Sequence, residues 1–229
     1  LTRHILSQYP QVKRLVIYSR DEQKQFEMEQ EFPVSKYRYL LHFTPYFMHH
    51  GVEHNTSTVI VMGHGENFDR EEKYNEILAI CSHELFHTWN VKTLRPVEMM
   101  PYNFTKENYT QLGYVDEGVT TYYGDLCLRR SNVWNNDLWK HSLEKWLNTH
   151  HRNYGRFSYS VADSSVDTWL DGYTPGVPWR KVSIYNEGAL LSMILDIELI
   201  SATEGTKSLD DVMHSMYHTF AKNNKGYSV

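Results

Sequence analysis

Two histidines four residues apart, with a glutamate between them, stand in the stretch ICSHELFHTWNVKTLRP at residues 80–96. In an α-helix, positions i and i+4 share one face, about 6 Å apart along the axis. His83 and His87 can therefore offer two imidazole nitrogens to one ion. Glu84 lies about 100° further round the helix than His83, placed to reach a water on that ion without ligating it. Two neutral nitrogen ligands and an adjacent carboxylate base are what a zinc hydrolase needs. The competing reading is an amphipathic helix that shows its histidines to solvent. The apolar flanks argue against it, because three buried polar groups without partners would cost about 1–3 kcal/mol each, and more if charged.

A catalytic zinc takes three protein ligands and leaves one position open. Downstream of His87, two carboxylates compete for the third place. Glu107 has the more familiar spacing, but it stands in the polar stretch TKENYT, where an acid at a helix start serves the helix dipole. Glu117 stands in GYVDEGVTTYYGD among apolar and aromatic neighbours, where an unpartnered carboxylate is the costlier state. Glu117 is therefore preferred, with Glu107 as the alternative. Gly118 beside it weakens a helix by about 1 kcal/mol relative to Ala, and it lets another backbone approach closely. Asp116 and Thr121 are candidate partners for the ligating histidines.

The elements that must position these residues follow from periodicity. VKRLVIYSR (12–20), YRYLLHFTPYF (37–47) and STVIVMG (57–63) read as strands, rich in β-branched and aromatic residues. GHGENFD then supplies turn residues, with Asp69 near a helix start. Residues 71–91 carry apolar positions at helical spacing. A second helix is expected over 105–130 with Thr105 as its N-cap, and a third over 136–151. Residues 158–180, rich in Ser, Asp, Gly and Pro, read as a loop, and two further helices are expected over 182–201 and 208–222. Strands first and helices later suggest an α+β domain with a helical second half, undivided by any linker.

Composition sets the outer bounds. The 229 residues suffice for one sizeable core. A net charge of −5 without like-charge blocks gives no nucleic-acid or anionic-membrane surface. The longest apolar stretches are too short or too interrupted to span a bilayer. Cys81 and Cys127 make no disulfide framework, and Cys81, two residues before His83, reads as a small buried apolar side chain rather than a ligand. The pairs His49–His50 and His150–His151 read as surface residues rather than a second metal site.

HELFHTWNVKTLRP, followed by DEGVTTYY and YNEGALLSMILDIEL and preceded by GVEHNTST, resembles the glycyl aminopeptidase family of PDZ-containing zinc metallopeptidases. The resemblance implies a thermolysin-like zincin (gluzincin) catalytic domain holding one Zn2+ ion. His83 and His87 match its histidine ligands, Glu84 its general base, and Glu117 its third ligand. Tyr185, in YNEG, matches the tyrosine that hydrogen-bonds the tetrahedral intermediate, and Glu53 sits where relatives hold the substrate's free amino group. The implied substrate is a peptide that loses its N-terminal residue, with Gly or Ala suggested there. Residues 1–229 are expected to be a single catalytic domain, part of a longer protein, without the large N-terminal β domain and the PDZ domain of the family. The STVIVMG strand is expected to offer its edge to the substrate backbone. Two readings stand beside this one: a zinc endopeptidase with the same site, and a non-catalytic peptide-binding scaffold. The compartment is left between bacterial periplasm and cytoplasm, leaning to the periplasm, and the oligomeric state is not assigned.

Overall fold

A computed structural model of the chain describes residues 37–67, 70–171 and 179–228. The strand expected over 12–20 and the helix start expected at Asp69 lie outside the described residues. Three strands come first: β1 (Arg38–Thr44), β2 (His49–Glu53) and β3 (Ser57–Gly63). They form a sheet ordered β1-β3-β2, with β1 parallel and β2 antiparallel to β3. β3 alternates in burial along its length, as a strand with one covered face must. Its inward residues are Thr58, Ile60 and Met62. Ile60 and Met62 pack with Ile80, Ile77 and Cys81 of α1 (Glu71–Phe86). Cys81 thus faces the sheet as a small packing residue.

The remaining described helices are α2 (Gly113–Arg130), α3 (Asn136–Arg152), α4 (Val161–Asp171), α5 (Ile184–Ala202) and α6 (Leu209–Thr219). Together the elements make a mixed α+β fold, with the strands first and the helices after them. α2 is its axis, and Val119, Tyr122 and Tyr123 pack with Trp146, Ala189, Leu190 and Leu209. α2 and α5 cross at Gly118 and Gly188, where a Cβ on Gly118 would lie 2.3 Å from the Gly188 Cα. The close approach that Gly118 was expected to permit is a helix–helix crossing.

Several boundaries differ from the sequence reading. α1 ends at Phe86 rather than Val91, because residues 87–90 turn away and the Asn90 side chain bonds instead to α2. α2 begins at Gly113 rather than Thr105. Thr105 donates from both its amide and its hydroxyl to Asn103 Oδ1, closing a side-chain turn where a cap was expected. The segment expected as a loop over 158–180 contains α4. Ser160 Oγ accepts from Asp163 N (3.0 Å) at its start, and Ser164 and Ser165 are buried against neighbours. Serines that read as loop composition serve there as a cap and as small packing residues. HHGVE (49–53) is a strand that alternation did not reveal, since its burial is shallow throughout. Finally, STVIVMG is the central strand, so both of its edges are taken, and among the described residues β1 and β2 flank it.

Among the described residues, no helix is long and apolar enough to cross a membrane.

Candidate metal centre

α1 and the residue that caps its end carry His83, Glu84 and His87 onto α2, where Ser82 Oγ donates to Gly124 O (2.7 Å) and Gly124 leaves room for the His83 backbone. A Cβ at Gly124 would sit 3.1 Å from His83 Cα, so the two helices touch at the turn that bears His83. This contact brings Glu117, about two turns before Gly124 on α2, opposite the two imidazoles. His83 Nε2 lies 3.2 Å and His87 Nε2 3.3 Å from Glu117 Oε2, and the two Nε2 atoms are 3.0 Å apart. These three residues form a group whose ligating atoms could hold one metal ion. Two donors each about 2.0–2.1 Å from a tetrahedral ion would stand about 3.3 Å apart, close to the spacing seen. Glu107, the alternative ligand, is exposed in the segment before α2.

The ring tautomers sharpen the fit. His87 Nδ1 lies 2.8 Å from the carbonyl oxygen of Asn90, which can only accept, so Nδ1 carries the proton. The neutral ring then turns a bare lone pair at Nε2 towards His83 and Glu117. His83 Nδ1 faces Thr121 Oγ1 at 3.4 Å. Acceptor atoms converging in a buried place require a cation or a proton between them. Without a metal, the proton takes that role. Burial works against charge on His87, but the facing Glu117, with further help from Glu53 and Glu84, outweighs it and lifts His87 to about 9. Burial likewise pushes Glu117 up, and the two histidines more than reverse it, holding the carboxyl well below the usual range. His83 is driven down, chiefly by burial.

Glu84, expected as the base, is buried beside this group and does not belong to it. Burial first, then the Glu117 and Glu53 charges, push its carboxyl up to about 7. Thr58 Oγ1, which donates to Val52 O (2.9 Å), stands 3.4 Å from Glu84 Oε2. Strand β2 runs directly over it, and a Cβ at Gly51 would lie 2.1 Å from Glu84 Oε1. Glu53 ends that strand, its Oε1 3.5 Å from Lys92 Nζ. Tyr185 enters from α5, its ring centroid 6.0 Å from that of His83. The six residues singled out from sequence thus come from β2, α1, α2 and α5 to one region.

Asp116 is placed differently from expectation. Its carboxylate accepts from Tyr227 Oη (3.0 Å), and the partner of His87 is the Asn90 carbonyl, with Thr120 Oγ1 at 3.4 Å. Burial pushes Asp116 up to about 8. Sequence reasoning also passed over Asn90, Thr58, Gly51 and Lys92. Thr58 carried a signal, being a polar residue on the inward phase of an otherwise apolar strand. Asn90 carried one too, three residues past His87 where a helix must end.

Residues 76–191, just over half of the chain, match the profile of the M61 glycyl aminopeptidase family. No curated protein matches the sequence. Among solved structures, the chain is similar to the crystal structure of an aminopeptidase N family protein from Idiomarina loihiensis, with 30% identity and a TM-score of 0.77. That match covers 89% of this chain and 36% of the other, so this chain spans about a third of the solved protein's length. By its sequence match over α1, α2 and the first half of α5, which deliver the histidines, Glu84, Glu117 and Tyr185 to one place, the chain belongs to the M61 glycyl aminopeptidase family.

Proposed function

We propose that this chain is the thermolysin-like catalytic domain of a zinc-dependent aminopeptidase. The observation that carries the reading is the convergence of the His83, His87 and Glu117 acceptor atoms beside a buried glutamate lifted to about 7. Bound there, zinc supplies Lewis acidity, lowering the pKa of water to about 7 and polarising a carbonyl.

The chain's own residues do the rest. Glu84, with an affinity for protons matched to neutral pH, takes the proton of the attacking water and passes it to the leaving amine. Tyr185 offers its hydroxyl to the oxygen of the tetrahedral intermediate, a contribution worth about 10²–10³ in rate for donors of this kind. Strand β2, rather than β3, lies alongside the substrate backbone, which the position of Gly51 against Glu84 supports. Glu53 at the end of that strand receives the α-ammonium and so limits cleavage to the first residue.

The endopeptidase reading draws support from one contact, the pairing of Glu53 with Lys92, which leaves the carboxylate already engaged. Hydrolysis of matched peptides with free and acetylated N-termini, by wild type and Glu53→Ala, separates the two. Cleavage of free N-termini alone, with the preference lost in Glu53→Ala, supports the aminopeptidase. Equal cleavage of both peptides by wild type supports the endopeptidase.

A further inference from the structure

Beside His83 and His87, four charged side chains meet where β2 crosses the end of α1. Three are acidic: Glu53, Glu84 and Glu117. The fourth is Lys92, whose Nζ stands 3.5 Å from Glu53 Oε1, with both side chains about a quarter exposed, at 26% and 27%. Its backbone is bonded at both polar groups. Lys92 N donates to His87 O (3.0 Å), one turn beyond the ligand, and Lys92 O accepts from the Arg95 guanidinium. What can move is the four-carbon stem, which carries a compact cation with three rotatable donors. That cation has the same chemistry as the terminal ammonium of a peptide, and it already lies against the one carboxylate placed to receive such an ammonium.

We propose that Lys92 is a specificity-determining residue that competes with the substrate's α-ammonium for the Glu53 carboxylate. The inference rests on the reading of Glu53 as the amine anchor. In the resting site Lys92 neutralises Glu53. A substrate with a free N-terminus replaces one ammonium by another and releases the lysine to solvent. A peptide with a blocked N-terminus has no cation to exchange and leaves the pair intact. The pair thereby sets how strongly a free amine must bind before the cleft admits it. Removal of the pair is expected to shift affinity by about two- to five-fold, equivalent to about 0.4–1 kcal/mol and within the range of partly exposed ion pairs.

The test is calorimetric titration of the zinc-loaded protein with glycinamide, a primary amine that presents an α-ammonium and no cleavable peptide. Lys92→Met, which keeps the stem and removes the charge, is expected to tighten binding about two- to five-fold. Lys92→Arg, whose fork grips a carboxylate at two points, is expected to weaken it. In a Glu53→Gln background, Lys92→Met is expected to change nothing. With free-amine dipeptides the effect falls on KM rather than kcat, and acetylated peptides show none. If wild-type binding depends on Glu53 while Lys92→Met leaves it unchanged or weaker, the role of Lys92 is overturned and the amine anchor stands. If binding is indifferent to Glu53→Gln, the anchor reading itself falls, and the competition with it.

Discussion

Glu84 and His87 sit one turn apart, and their surroundings push them to opposite tasks. Burial makes Glu84 reluctant to ionise, while Asn90 O pins the His87 proton on Nδ1 and leaves Nε2 facing inward. Glu84→Gln keeps the shape and removes the base. Its kcat/KM is expected to fall by about 10²–10⁴ while zinc content by elemental analysis stays at the wild-type level. A parallel loss of zinc would mean that Glu84 ligates. Asn90 is fully buried, and its side chain donates to Val115 O, Asp116 O and Thr120 Oγ1. Asn90→Ala therefore loosens the turn that holds the His87 tautomer. Chelator competition is expected to show a zinc affinity lower by about 10–100-fold, with a stability loss of about 1–3 kcal/mol in urea. An unchanged affinity in a destabilised variant would confine Asn90 to packing.

At the scale of elements, glycines permit three close approaches around the site: Gly124 against His83, Gly118 against Gly188 and Gly51 against Glu84. At Gly118 the neighbour is the backbone of Gly188, and neither helix can yield locally. Gly118→Ala is expected to lower the urea midpoint by the equivalent of about 1–3 kcal/mol with little change in slope, as overpacking does. At Gly51 the neighbour is the side-chain end of Glu84 rather than backbone. Gly51→Ala is thus expected to reduce kcat strongly while the melting temperature moves little. A large drop in melting temperature would show that β2 itself is displaced. The helices were legible because their apolar periodicity is long, and His83, Glu84 and His87 because their spacing is a property of one helix. Glu117 was legible as a misfit, a carboxylate among aromatics. What escaped depends on contacts between elements. Nothing local marks β2, whose residues are nowhere deeply buried. α4 hid because serines that cap or fill small gaps are indistinguishable in sequence from serines in a loop. Lys92 owes its position to a strand some forty residues earlier.

Over the whole molecule, the buried site is expected to make stability depend on pH and on zinc together. Glu84 and Asp116 have folded-state values raised to about 7 and about 8, both chiefly by burial, so the metal-free fold binds their protons more tightly than the unfolded chain does. His87 is raised to about 9, where Glu117 overcomes the opposing effect of burial. All three contributions are present at low pH and are lost as pH rises, for the carboxyls from about 4 upward and for His87 from about 6.5 to 9. Glu117 has the opposite sign, and its contribution is lost only on acidification below the ordinary carboxylate range. The melting temperature of the metal-free protein is therefore expected to fall between pH 5 and 9. Zinc binds deprotonated ligands, so its stabilising increment is expected to grow over the same range. Parallel melts with and without zinc test this, and an increment that shrinks with rising pH would exclude these ligands. One further tie bears on how the site is made. Tyr227 is buried, and its hydroxyl reaches Asp116, next to Glu117, across 111 residues of chain. A ribosome adding about 5–20 residues per second needs on the order of ten seconds to cross that interval. A nascent chain thus displays both histidines and Glu117 several seconds before Tyr227 emerges to close on Asp116, so the turn of α2 that bears Glu117 gains this support late in synthesis.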